Sequence, residues 1–439
     1  MRQRRVIVSL VLAVLAVAGF TGWQTPEVTA QPAINRLLVK RLDKMKAALK
    51  AGRVVEDGEV GEFSMLMFAV TSLPALSDGN GAYIRGEPNP DITALGQGPA
   101  VWETMKNSTE IFRAQGATPQ PWATVNEFPA GVTPLTTAQL QAQFGQTNSP
   151  WLHMLSTSRM IDGQQIVDAN ANVLWYDVRC NQDYFNYVTA SKYPLYNLEG
   201  QESARADTGF TFDFPQDALE FKGTWRILGP KDDDSKYWTA YGAYSDATNT
   251  LQYAKIGLTA LHIISHVQPN WIWMTFEQVD NPTATYQYFL GAKGDPVGVN
   301  TTANPLSIPI NAELEFITKG TKWQNYRVIG WQFDEVRGDG QPVVLANSNI
   351  ETYFPQTSSC MSCHAMANIG PPDSRRLNMW NTNSSGIQGR IGTIDFPAIV
   401  QGMSLDPTQY KQMNYAWSLR EAQSTAAPMA KPKPQAASR

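Results

Sequence analysis

The sequence predicts an α+β protein with a β-rich antiparallel sheet domain, an α-helical N-terminal portion and a separate C-terminal segment. Three observations carry this reading. Apolar residues recur at helical spacing near the N-terminus, they alternate with polar ones through the middle third, and beyond residue 346 the chain turns loop-rich around a compact cysteine and histidine motif. The division that follows is 1–30 as an export signal, 31–200 as a mixed helical region and 201–345 as the antiparallel β region. Residues 346–421 form the motif-bearing segment and 422–439, rich in Ala, Pro, Lys, Gln and Ser, a disordered tail.

Arg2, Arg4 and Arg5 make a positive start, Val6 to Gly19 an apolar run and Val28-Thr29-Ala30 a small-residue cleavage site. The expected product is an exported protein cut after Ala30. Retention as an uncleaved anchor is the other reading, although the run is short for a bilayer span. Cleavage removes three arginines and Glu27, which moves the formal charge from −4 to −6. Such a mildly acidic chain has no basic excess for nucleic acid.

Residues 33–51 place Ile34, Leu37, Leu38, Leu42, Met45 and Leu49 on one helical stripe, with Arg36, Lys40, Arg41, Lys44 and Lys46 around it. Packing on the domain is the simpler account, and a membrane surface or acidic partner the alternative. Residues 62–70 suit a buried helix halted by Pro74 and the turn cluster at 77–81. A further helix is expected over 101–113, then an irregular stretch over 114–150 pinned by Trp122 and Phe128. In 173–180 the alternation puts Leu174, Tyr176, Val178 and Cys180 on one face, which reads Cys180 as a buried, inert thiol. In 218–228, Leu219, Phe221, Trp225 and Ile227 alternate with Glu220, Lys222, Thr224 and Arg226, the pattern of a half-buried strand. Comparable strands are expected at 237–244, 251–267, 271–278 and 284–290, with an aromatic strand pair at 321–333. Asp232-Asp233-Asp234 reads as a polar turn. A final helix is expected over 407–421.

The motif is Cys360-Met361-Ser362-Cys363-His364. Two cysteines three apart followed at once by histidine form the attachment signature of a c-type haem. Each thiol adds to one porphyrin vinyl group, and the adjacent imidazole binds the iron. A zinc site would need two further Cys or His ligands at finger-like spacing, which the chain does not supply. Ser358 or Ser359 can cap a short helix carrying Cys360 to Ala367. The expectation is one covalent haem c on Cys360, Cys363 and His364. Because such attachment takes place outside the bacterial cytoplasm, a periplasmic location follows, consistent with the export signal. With three cysteines in all, only Cys180 remains, so no intramolecular structural disulfide is available.

A sixth iron ligand is sought among the other three histidines and nearby methionines. His262 and His266 lie on the expected strand 251–267, where they would share a face about 13 Å apart, so only one could reach a single iron. Either could instead be a hydrogen-bonded core histidine, and His153 is the remaining competitor. Met379, Met403 and Met413 lack the proline context usual for a methionine ligand and read as filler. The few helices after 346 argue that the haem peptide docks on the sheet domain.

Several stretches resemble a poorly characterised family of exported bacterial mono-haem cytochrome c family proteins. They are Val101-Trp102-Glu103-Thr104, Leu261-His262-Ile263, Trp271-Ile272-Trp273 with Thr275-Phe276-Glu277, Leu345-Ala346-Asn347, Glu351-Thr352-Tyr353 and Ser358 to His364. The resemblance implies one co-evolved unit and brings no substrate. It ranks His262 ahead of His266. The leading functional expectation is electron transfer with an unidentified redox partner. A haem-dependent oxidoreductase, peroxidase- or oxygenase-like, is the alternative, with an open iron site for a small ligand or oxidant and His262, His266 or Glu277 as distal acid or base. A redox sensor or binding module is the third. No GxSxG, HExxH, Walker loop or GxGxxG in its required context competes.

Overall fold

Alternating apolar residues build one eight-stranded sheet, and the chain covers both of its faces. The computed structural model describes residues 27–52, 56–91, 98–156, 160–161, 164–168, 172–246, 248, 250–281, 307–351, 354, 357–372, 376–383 and 386–426. Residues 1–26 of the expected export signal, the strand expected at 284–290 and residues 427–439 of the tail lie outside the described residues.

The strands are β1 (Lys106–Asn107), β2 (Leu152–Met154), β3 (Leu174–Cys180), β4 (Leu219–Ile227), β5 (Thr239–Ser245), β6 (Leu251–Ser265), β7 (Ile272–Gln278) and β8 (Tyr326–Gln332). Their main path runs β8-β7-β6-β4-β3-β1, and β5 joins β6 to β2. Every pair is antiparallel except β2 with β5. The sheet therefore draws three strands from the region read as mixed helical.

The long strand β6 is its organising element. One edge pairs with β4 over Ile256 to Ser265, and the other takes β5 and then β7 in series. Leu258 faces Trp225 and Ala260 faces Thr224, so Thr259 is an extra residue in β6, a β-bulge. The bulge moves the inward residues from Ile256 and Leu258 to Leu261 and Ile263. His262 and Ile264 then point to the opposite face.

One face carries helices α1 (Glu27–Lys50), α2 (Asp57–Thr71) and α3 (Ser307–Thr318). Leu38, Leu42, Phe63, Phe68 and Leu314 share a core there with Leu261, Ile263 and Phe276. Arg41 joins the three helices, reaching Glu62 at 2.8 Å and Glu313 at 2.7 Å. The basic helix therefore packs on the domain, as the apolar stripe predicted. The opposite face carries the C-terminal segment, whose Met361, Met366, Ile369, Val400 and Leu419 share a second core with Cys180, Ile264 and Trp273. Cys180 is fully buried there. Among the described residues no helix is long and apolar enough to cross a membrane.

Three local expectations are corrected. Residues 101–113 form a 3-10 turn (Val101–Thr104), β1 and a one-turn helix (Ser108–Ile111), because buried Glu103, Lys106 and Glu110 are bound to distant partners. Residues 407–421 hold two 3-10 turns, at Pro407–Gln409 and Trp417–Glu421, broken by left-handed Asn414 and Tyr415. Residues 321–333 supply one strand, β8, after a 3-10 turn at Lys322–Asn325, where a strand pair was expected. The irregular stretch also contains a helix, Thr137–Phe144, and α3 had no counterpart in the sequence reading.

Candidate functional site

The motif sits on a short helix, α4 (Cys360–His364), that begins where the end of β8 meets it. Gln332 donates to Ser359 Oγ at 2.8 Å and accepts the Met361 N–H at 3.2 Å. Ser359 is the N-cap, its hydroxyl accepting the Ser362 N–H at 3.3 Å. Four residues of helical spacing then bring both thiols and the imidazole to successive positions on one turn.

Each is fixed differently. The Cys363 sulfur accepts the Arg390 N–H at 3.3 Å. Burial pushes the Cys363 thiol up to about 11 and Cys360 well above its ordinary value, so both are neutral thiols at neutral pH. His364 Nδ1 donates to the Tyr415 carbonyl at 2.9 Å. That bond fixes the tautomer, with the lone pair on Nε2. The imidazole packs on Trp273 with ring centroids 4.4 Å apart.

The backbone that presents the Tyr415 carbonyl is strained. Asn414 (φ 48°) and Tyr415 (φ 63°) are left-handed, as is Trp271 (φ 60°), whose indole donates to Asn414 Oδ1 at 2.5 Å. Three of the five non-glycine residues with positive φ among the described residues thus meet behind His364.

Across from the helix lies the β6 face. His262 is paired in register with Lys222 of β4 and Thr275 of β7, one row from Ile264 and Trp273. Its Nε2 is buried without a hydrogen bond, and Glu351 Oε2 is 3.9 Å away. Burial first, then the Lys222 ammonium and His364, hold His262 well below its ordinary pKa, so the ring is neutral. Glu351 is pushed up to about 7 by burial, against the opposing pull of Lys222 and the Asn347 N–H. Lys222 Nζ lies 4.6 Å from the Tyr176 ring centroid.

His266 takes a different environment. Its Nδ1 meets the Pro215 carbonyl at 3.2 Å and its ring packs on Trp271, while its Nε2 is likewise without a hydrogen bond. His153 lies on the sheet's helical side with both ring nitrogens on carboxylates, Asp177 at 2.5 Å and Glu103 at 2.9 Å, which removes it as a ligand. Glu277 is buried, accepts from Ser348 and Asn281, and stands in register with Arg327 of β8. Met403 is exposed, and the Met413 sulfur accepts from Arg376 at 3.3 Å.

The structure thus gathers Cys360, Cys363, His364 and His262 with two residues to which the sequence reading gave no role, Glu351 and Tyr415. Tyr415 acts through its carbonyl, which no side-chain pattern reports, and Glu351 stands at no diagnostic spacing from the motif. Among the described residues no three His, Cys, Asp or Glu side chains converge as a site for a bare metal ion. A haem does not require one, because the porphyrin supplies four nitrogens and the protein only axial imidazoles and two thiols. Two imidazoles, one of them neutral with an orphaned buried nitrogen, and two uncharged thiols fit that need.

No family model, curated protein or solved structure matches the chain.

Proposed function

We propose that this chain is an exported c-type cytochrome that carries one haem and transfers single electrons to a redox partner. The observation that carries the reading is the His262 Nε2, buried and unbonded in the cluster that holds His364. A buried polar atom without a partner costs about 1–3 kcal/mol, and an axial bond to iron would remove that cost. Cys360 and Cys363 would hold the group by thioether bonds, and His364 and His262 would bind its iron. When bound, the haem supplies the ferric/ferrous couple.

The remaining residues act on that couple by position. Tyr415 orients His364, and its carbonyl makes the imidazole a stronger donor. Trp273, Ile264, Met361 and Met366 exclude water, which disfavours added charge at the iron. Export, with cleavage after Ala30, belongs to the same proposal and is tested by the N-terminal sequence of the secreted protein.

A second reading has one observation in its favour. Glu351, 3.9 Å from His262 and pushed up to about 7, would suit proton transfer to a small oxidant if His262 left the iron. The visible spectrum of the ferrous protein with and without carbon monoxide decides between them. A spectrum that carbon monoxide leaves unchanged supports the electron carrier, and a shifted Soret band supports the open site.

A further inference from the structure

Four arginines are buried among the described residues: Arg85, Arg179, Arg226 and Arg390. Three are neutralised. Arg85 pairs with Glu110 at 2.7 Å, Arg179 with Glu127 at 2.9 Å and Asp177 at 2.8 Å, and Arg226 with Asp168 and Asp232. Arg390 alone among them meets only neutral acceptors, the Met379 carbonyl at 2.9 Å through Nε and Asn381 Oδ1 at 2.8 Å through Nη2. Its Nη1 makes no hydrogen bond among the described residues.

A buried guanidinium without an anion is expensive, because taking a charge out of water costs several kcal/mol unless an opposite charge replaces the solvent. Burial accordingly pulls the Arg390 pKa down, and only the Cys363 sulfur opposes it. The location says which anion is missing. The Arg390 main-chain N–H is bonded to the Cys363 sulfur, and its side chain runs from there to Met379 and Asn381, so the cation is one side-chain length from the attachment site. A haem brings two carboxylates of its own, and an arginine fork suits a carboxylate through two parallel bonds.

We infer that Arg390 binds a haem propionate and is a positioning residue for the group that Cys363 anchors. The inference rests on the haem reading above. The contact pairs the guanidinium with the carboxylate and fixes the macrocycle edge, and its loss would leave the propionate's negative charge uncompensated, which favours the ferric state.

The test uses the exported, haem-loaded protein and its Arg390→Gln and Arg390→Lys variants. Pyridine haemochrome spectra first establish covalent haem in the wild type, and its absence there would overturn both the haem reading and this inference. With haem present, resonance Raman reads the propionate bending band and spectroelectrochemistry the midpoint potential. The expected result is a shifted band in both variants, a lowered potential in Arg390→Gln and a smaller change in Arg390→Lys. Should Arg390→Gln not accumulate, the band in Arg390→Lys decides. An unchanged band would overturn the inference and leave the haem reading standing. A saturable change on adding acetate to the wild type would show that a soluble carboxylate fills the site, which also overturns it.

Discussion

Replacing His153 with leucine tests the ionic network on the helical side of the sheet. The ring is fully buried and donates from both nitrogens, to Asp177 Oδ2 at 2.5 Å and Glu103 Oε1 at 2.9 Å. Burial lowers its pKa, yet Asp177 and the two hydrogen bonds outweigh burial and the opposing Arg179, so the folded pKa is raised. His153 therefore holds its second proton to a higher pH than a free imidazole does, between two carboxylates. Leucine has a similar volume and no charge, so the substitution leaves Glu103 Oε1 without its donor and takes one charged donor from Asp177, which keeps Arg179 and Asn107. Two charge-assisted bonds at about 1.5–3 kcal/mol each agree with the 3–5 kcal/mol typical of breaking a buried pair, and the expected loss is about 4 kcal/mol. The pH dependence has a definite sign. The unfolded ring titrates near 6.5. The folded one titrates higher, so the imidazolium's contribution is complete below about pH 6.5 and is lost as pH rises through the folded value. Urea unfolding followed by far-UV circular dichroism at pH 6, 7 and 8 should show the widest gap between wild type and variant at pH 6. A gap under about 1 kcal/mol at pH 6, or one that grows with pH, would refute the reasoning.

The other predictions concern the cluster on the opposite face. Cys360→Ala with Cys363→Ala should abolish covalent haem, and retention of haem through acid-acetone extraction in that double variant would sink the attachment. His262→Ala should keep the haem and make the ferrous Soret band respond to carbon monoxide, whereas an unresponsive spectrum would assign the sixth ligand elsewhere. Asn347 is fully buried and donates to Thr275 Oγ1 at 2.8 Å and the Phe276 carbonyl at 3.2 Å. Asn347→Ala should cost about 2–3 kcal/mol by urea midpoint, since both acceptors lose their donor, and a neutral result would mean that the segment leading to the motif does not rest on β7.

What could be read from the sequence was set by chain-local physics. The period-two alternation of Leu219, Phe221 and Trp225 is a direct consequence of strand geometry, and so is the burial of Cys180. The stripe of Leu38, Leu42 and Leu49 is equally local and gave α1 within a turn at its C-terminal end. The failure at 101–113 has the opposite origin. Glu103, Lys106 and Glu110 look like ordinary helical surface residues, yet each is buried against partners 14 or more positions away, such as Trp238 and Thr124. In 407–421 the left-handed pair Asn414 and Tyr415 breaks the helix, a conformation neither residue type advertises. The cysteine and histidine part of the candidate site was legible because Cys360, Cys363 and His364 lie within one short run of the chain. The residues around it, Gln332, Glu351, Arg390 and Tyr415, come from separate segments and are assembled only by folding.

The extra residue at Thr259 has a consequence for how such a protein could change. In a strand, neighbouring side chains obey an odd-even rule, and the bulge is where that rule is reset. Deleting the single codon for Thr259 would remove the bulge and leave His262 and Leu261 on their present faces, whereas keeping Thr259 and drawing it into the ladder would slip the register by one and exchange their roles. A histidine would enter the greasy layer beneath the helices and a leucine would face His364's cluster. Whether the extra residue is held as a bulge or taken up as a register slip thus decides, with every side chain unchanged, which face of the sheet receives the histidine.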